Sequence, residues 1–304
     1  MHGLSNQLKS VRMLQVTDIQ NQQMWTKLIV GLIRFSGRCL SLVGLKGFWR
    51  VSKFLGSLTN TTITIKRDDL FFTFNMQDPY WNRLVYKNYV YEPEIFTFII
   101  GSYNRFDSFI DIGANIGYWS LQAKKEGGFN RVVAIEPNPN VCSQLRNNVR
   151  DNNAEINILE CAVGAKAGSA NLYVGHHVWD HAAASLNRIQ GANVIAHEVT
   201  VLNLDLYISR EFQSNEKILM KIDIEGAEAA LFRESDFIYD KRISFIYEDH
   251  GSDMSCNATD WLLNNTTREI FMLTSRGSNI KIDTIKQLRS LKTDKSRGYN
   301  LICL

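Results

Sequence analysis

Four carboxylates and a histidine stand where short apolar runs end in turns. These are the positions from which open α/β sheets present groups to a ligand. Asp111 lies in FIDIGANIGYWSL (109–121), just before two glycines, Gly113 and Gly117. Glu136 closes the next apolar run, VVAIEPNP, 19 residues after Gly117. Asp223 and Glu225 follow a third run in ILMKIDIEGAEAALF (218–232), and His250 follows a fourth in FIYEDHG (245–251). The chemistry open to such a set is the binding of a cationic or hydroxylated ligand by carboxylates, and proton transfer by a group that titrates near neutrality.

Glycines spaced G-A-N-I-G let a backbone turn tightly and approach its neighbours. A dinucleotide fingerprint needs G-x-G-x-x-G, whose second glycine admits a pyrophosphate. Here Asn115 stands at that place, Gly117 comes one position early, and the loop opens on an acid. A dinucleotide oxidoreductase is therefore disfavoured. An acid at the end of the second strand accepts hydrogen bonds from ribose hydroxyls. Together, Asp111 and Glu136 fit S-adenosylmethionine, with its ribose, its adenine and its cationic amino-acid tail.

The elements that position these residues follow from periodicity. Strands are expected at 109–112, 132–136, 156–160, 218–222, 243–247, 269–273 and 299–304, with helices at 118–126, 140–148 and 227–234. Short apolar strands alternating with helices imply an α/β protein with a mostly parallel, doubly wound sheet covered on both faces. Residues 61–75 read as a hairpin, and YEPEIFTFII (91–100) as a helix opened by proline. An insertion at about 167–200 interrupts the rhythm and carries His176, His177, Trp179, Asp180, His181 and His197.

Asp223 and Glu225 are two apart, so both can face one side of an extended chain. Asp223 is read as a site residue; Glu225 is open between a site role and a helix cap; Glu228 is read as structural. His250 is open between a general base and an ordinary loop histidine. No HxxxH or CxxC spacing supports a metal held by Asp223, Glu225, Glu248 and His250, so none is expected, and HHVWDH is read as a substrate-facing loop rather than a metal site.

The chain has 304 residues, 45% hydrophobic and 21% charged, enough for a large core without disulfides. Five unpatterned cysteines and the lack of an apolar leader suggest a cytoplasmic setting. A net charge of +3 does not point to nucleic acid. The apolar stretch at 28–49 contains Arg34, Arg38 and Lys46, too many charges for a spanning helix. From Ile19 to Arg67 there are eight Lys or Arg and no Asp or Glu. On a helix, Trp25, Leu28, Ile29, Leu32, Ile33, Cys39 and Val43 share one face, and Lys27, Arg34 and Arg38 the other. Two readings stand: a helix packed on its own protein, or peripheral contact of residues 1–57 with the inner face of a membrane.

YEPEIFTFI, FIDIGANIGYWSL, VVAIEPNP, AVG (162–164), VTVLNLD (199–205) and LMKIDIEGAEAALF resemble, in order and spacing, the FkbM-type methyltransferases. The resemblance covers about 91–248. It implies a class I, Rossmann-like methyltransferase fold, here with an N-terminal helical extension, and S-adenosylmethionine as methyl donor. It further implies O-methylation of a hydroxyl on a sugar, glycan precursor or related natural product. By the same resemblance Asp111, Gly113, Ala114, Asn115 and Gly117 form the methionine-side loop. Glu136 holds the ribose with Asn138 nearby, Ala162 and Val163 flank the adenine, and Asp223 and Glu225 line the reacting end. The expected organisation is a basic helical segment at 1–57, a lead-in hairpin and helix at 58–104, and a methyltransferase domain at 105–304. The alternative is a cofactor-binding, non-catalytic subunit or scaffold of a glycan-biosynthesis assembly.

Overall fold

The computed structural model describes residues 24–304 except 103, 176–193, 225 and 296. It divides into two compact units, one running to Tyr91 and one from Glu92 to Leu304.

The first unit contains a helix over 24–41 (α1), α2 (Phe48–Ser57), and the antiparallel hairpin β1 (Thr62–Arg67) and β2 (Leu70–Asn75). Its two-residue turn, Asp68 and Asp69, takes positive φ at both positions, the geometry that matches strand twist in a tight hairpin. Helix α2 buries Phe48, Ser52 and Gly56, one residue per turn along a single row. Asn82 lies buried beneath it and donates from Nδ2 to the carbonyls of Ser52 (3.0 Å) and Met76 (3.1 Å).

The second unit opens with α3 (Pro93–Gly101), its proline in the first turn as expected, and is built on a large sheet. Parallel strands β3 (Ser108–Ile112), β4 (Arg131–Ile135), β5 (Asn157–Leu159), β9 (Ile218–Ile222) and β10 (Ile243–His250) form its centre. The antiparallel β13 (Gly298–Cys303), then β11 (Ile270–Met272) and β12 (Ile280–Lys281), complete one side, in the order β12-β11-β13-β10-β9-β3-β4-β5. Strands β3 and β9 are buried at every residue, because helices cover both faces of a parallel sheet. Among those helices, α4 (Tyr118–Glu126) has the expected bounds, α5 (Pro139–Asp151) and α7 (Glu228–Glu234) depart from them by only a few residues, and α6 (Leu204–Glu211) adds Leu204 and Ile208 to the core. This is the class I, Rossmann-like methyltransferase arrangement.

The chain winds from β3 outward through β4 to β5, then returns to place β9 on the other side of β3. The sheet's switch point therefore lies between β3 and β9, where ligands bind beyond the carboxyl ends of the strands.

The expected insertion holds structure that periodicity missed. β6 (Ala162–Gly164), β7 (Gly168–Gly175) and β8 (Val194–Asn203) form a separate three-stranded sheet with its own cluster of Ala162, Leu172, Val174 and Val199. His197 lies on β8 opposite Leu172. The other insertion residues named above, His176 to His181, lie outside the described residues.

Candidate active site

At the switch point, register brings Asp111 on β3 beside Lys221 on β9. Partner residues of adjacent strands point to the same face, so a carboxylate and an ammonium meet in the interior. Lys221 Nζ donates to Asp223 Oδ2 at 2.9 Å, and Ser120 on α4 donates to Asp111 Oδ2 at 2.6 Å. Asp111 Oδ1 is buried and has no hydrogen-bond partner among the described residues.

A third acid comes from before the sheet. Glu92 precedes α3 in the left-handed region, with φ 42°. It accepts from Trp119 Nε1 at 2.8 Å and from Asn300 Nδ2 on β13 at 3.3 Å. Glu136 is the fourth. Its Oε2 accepts the Asn115 N–H and its Oε1 the Asn138 N–H, both at 2.9 Å.

These groups share one electrostatic field. Burial raises Glu92, Asp111 and Glu136 above the ordinary carboxylate range, Glu136 to about 7. The Lys221 charge pulls Glu92 and Asp111 back, and the two backbone N–H bonds do so for Glu136. For Lys221, burial disfavours the charge, but Asp223, Glu92 and Asp111 outweigh it and hold the ammonium above its ordinary value. Three carboxylates, Asp223, Glu92 and Asp111, thus act on the Lys221 ammonium, and two of them, Asp111 and Asp223, also act on Glu136. A second cation placed beside Asp111 Oδ1 would be stabilised.

The turn itself is tied to its own protein. The N–H groups of Gly113 and Ala114 both donate to the Ile135 carbonyl, at 2.9 and 3.0 Å. Asn115 donates to Glu136, Ile116 to Asn115 Oδ1 at 2.8 Å, and Gly117 to the Ala114 carbonyl at 2.9 Å. Every N–H from Gly113 to Gly117 is already donated, so the loop has none to offer a pyrophosphate. The glycines also admit neighbouring elements. A Cβ on Gly113 (φ 78°) would stand 1.9 Å from the Asp223 carbonyl oxygen, and one on Gly117 (φ 86°) 2.4 Å from Leu145 Cδ1 of α5.

Other expected residues fall as follows. Asn138 caps α5, accepting from the Asn140 N–H at 3.1 Å, and its Nδ2 is buried with no partner among the described residues. Ala114 is buried behind the turn. Ala162 and Val163 are buried in two different apolar clusters, so what they can present to a ligand is backbone. Glu225 lies outside the described residues. Glu228 accepts the Ile224 N–H at 3.0 Å and closes the turn before α7, the structural role expected of it.

Asp223 borders a cleft of about 320 Å³ that is also lined by Glu228, Glu248, His250, Asp253 and Asn257. Within it, His250 Nε2 is 3.7 Å from Glu248 Oε1, and Nδ1 is 3.2 Å from Ser252 Oγ. Gly298, opposite His250 on β13, leaves the space that the Glu248 carboxylate fills.

The Methyltransferase FkbM domain matches residues 111–278, more than half of the chain and all of the switch point. The chain belongs to the FkbM methyltransferase family. It is an S-adenosylmethionine-dependent methyltransferase, and S-adenosylmethionine is its cofactor. The residues present fit that group, on the evidence of the unpartnered Asp111 oxygen, the excess of carboxylate over ammonium, and a turn with no N–H left for phosphate. No curated protein matches the sequence.

Solved structures similar to this methyltransferase include a precorrin-6y C5,15-methyltransferase from Geobacter metallireducens (TM-score 0.39, 11% identity, covering 72% of this chain and 90% of that one). The M. jannaschii TYW2 in complex with AdoMet is similar at TM-score 0.40 and 9% identity, covering 81% and 86%. An O-methyltransferase from Bacillus cereus in complex with SAH is similar at TM-score 0.38 and 12% identity, covering 71% and 82%. These likenesses are too remote to bear on this enzyme's acceptor.

Three site residues escaped sequence reasoning: Lys221, Glu92 and Asn300. The first two lie inside the motifs KIDIEGAE and YEPEIF. A lysine between Met220 and Ile222, in a strand buried on both faces, is the signal that was available for Lys221.

Proposed function

We propose that this enzyme methylates a hydroxyl group of a sugar, glycan precursor or related natural product, bound in the cleft beside Asp223. The observation that carries the reading is the pairing of two sites at adjacent strand ends. One is a buried cluster of carboxylates suited to a cation; the other is an open cleft, lined by acids, that carries a histidine.

S-adenosylmethionine, when bound, supplies a methyl group on a positively charged sulfur. In this proposal Asp111 and its neighbours in the Gly113–Gly117 turn hold the amino-acid end. Glu136 accepts hydrogen bonds from the ribose, since each of its oxygens has a second lone pair beyond the backbone bond it already makes. Asn138 Nδ2 is the nearby unsatisfied donor, and the Ala162–Val163 backbone flanks the adenine. Asp223 has one oxygen committed to Lys221, which makes it an orienting group with a fixed carboxylate; the family resemblance assigns Glu225 to the same end.

His250 is the proposed base. It lines the cleft, with Glu248 Oε1 3.7 Å from its Nε2, where it can take the acceptor's hydroxyl proton as the methyl group is transferred. A sugar hydroxyl is a weak nucleophile, so alignment and proton removal are what the protein must provide.

Two measurements test this in order. Calorimetry with S-adenosylhomocysteine should show binding that Asp111→Asn abolishes; an intact chain that binds none would sink the cofactor assignment. A methyl-transfer assay on sugar nucleotides and lipid-linked saccharides, read by mass, should then show a methylated product. Binding without turnover on any hydroxylated acceptor, with turnover on an amine or a ring carbon instead, would overturn O-methylation.

A further inference from the structure

Helix α1 has two apolar faces. Wound at about 100° per residue, Thr26, Ile29, Ile33 and Gly37 fall on one side. All four are buried, with Gly37 so close to Tyr86 that a Cβ would stand 2.5 Å from its ring. Met24, Trp25, Leu28, Leu32 and Phe35 form a second stripe, about 100° wide and turned away from the first. All five are exposed, Trp25 by 63% and Phe35 by 67%. The expectation of one apolar face holding Trp25, Leu28, Ile29, Leu32 and Ile33 together is thus corrected: Ile29 and Ile33 face the unit, the other three face solvent. A helix needs one apolar face to pack; the second is left without a packing role.

Along one edge of the exposed stripe run Lys27, Arg34 and Arg38, and Arg34 Nε also donates to the Val85 carbonyl at 3.2 Å. The same composition continues past the helix. Leu42 is 88% exposed and Phe54 64%, with Trp49 beside them in sequence and Lys53 Nζ 5.1 Å over its ring. Lys46 and Arg50 add two more cations, and no acid occurs between residues 24 and 67. Among the described residues no helix is long and apolar enough to cross a membrane.

We propose that the unit ending at Tyr91 docks by this surface onto a bilayer that displays anionic headgroups, with α1 lying in the interfacial plane. Exposed Trp, Leu and Phe enter the headgroup–acyl boundary, while flanking Lys and Arg keep their charges at the phosphate level. An excess of cations without any acid matches an anionic leaflet and gives a salt-sensitive attraction. The inference does not rest on the methyl-transfer residues, so either can fail alone.

The test is sedimentation of the full chain with vesicles of phosphatidylcholine, alone or mixed with phosphatidylglycerol. Binding is expected to the mixed vesicles, weakening with salt. It should fall about fivefold for each of Arg38→Gln, Lys46→Gln and Lys53→Gln. The exposed-residue variant Leu28→Ser/Phe35→Ser/Phe54→Ser should lose more than tenfold, with its unfolding temperature and S-adenosylhomocysteine affinity unchanged. No sedimentation with anionic vesicles, or equal sedimentation of that variant, would overturn the proposal. So would a concentration-dependent dimer that the variant dissolves without any vesicle binding, because the stripe would then be a contact between copies.

Discussion

Glu136 is placed so that its ionisation can be read from stability. Burial raises its carboxyl from 4.5 to about 7, despite two backbone N–H bonds that favour the charged form. Between those values the folded protein holds a proton that the unfolded chain has released. The group's contribution is therefore fully present below pH 4.5 and is lost as pH rises through about 7. A shift of that size corresponds to about 3 kcal/mol. Glu136→Gln cannot ionise. It forfeits one of the two N–H bonds, a pH-independent loss of about 1–3 kcal/mol, but it removes the slope. Urea unfolding of both proteins at steps from pH 4.5 to 8 should show the stability difference, native minus variant, falling by about 3 kcal/mol across the range. With a slope near 3 kcal/mol per molar urea, that is about 1 M in midpoint difference. Parallel curves for the two proteins would show that Glu136 is ionised throughout, and the description of a buried, acid-rich pocket would be wrong at its most exposed premise.

Three further outcomes follow from the same geometry. Gly113→Ala should destabilise by more than about 3 kcal/mol, since its Cβ meets backbone, whereas Gly226→Ala, with φ 93° but open space, should cost only about 1–2 kcal/mol in thermal unfolding. Lys221→Met removes the ammonium from Asp111, Asp223 and Glu92 and should lower stability by about 3–5 kcal/mol at pH 8; denaturant titration at pH 5 should show part of it restored as carboxylates take up protons. His250→Gln should reduce kcat by about 10²–10⁴ with S-adenosylhomocysteine affinity unchanged, and an unaltered kcat would move the base role to Asp223.

Much of the central fold was legible in sequence because its signals are local. Apolar runs with helical spacing between them located β3, β4, β9, β10, α4 and α7 closely. The glycine turn and the acid at the end of β4 are short-range features too. The three-stranded sheet was not legible: β7 reads GSANLYVG, with small and polar residues at its start, and shows no clear alternation. Helix α1 shows another limit. Periodicity finds apolar faces, but it cannot say which of two is covered.

By itself the sequence determined where the central strands lie along the chain, the turn chemistry at 111–117, and the family to which those motifs belong, since each depends on residues a few positions apart. Tertiary structure alone decided the charge balance of the site. Glu92 enters from the start of α3, Lys221 from the middle sheet, and Asn300 from β13, 208 residues after the Glu92 it bonds. The sign and strength of the field at Asp111 is a sum over groups that distance in space brings together. No spacing along the chain contains that sum.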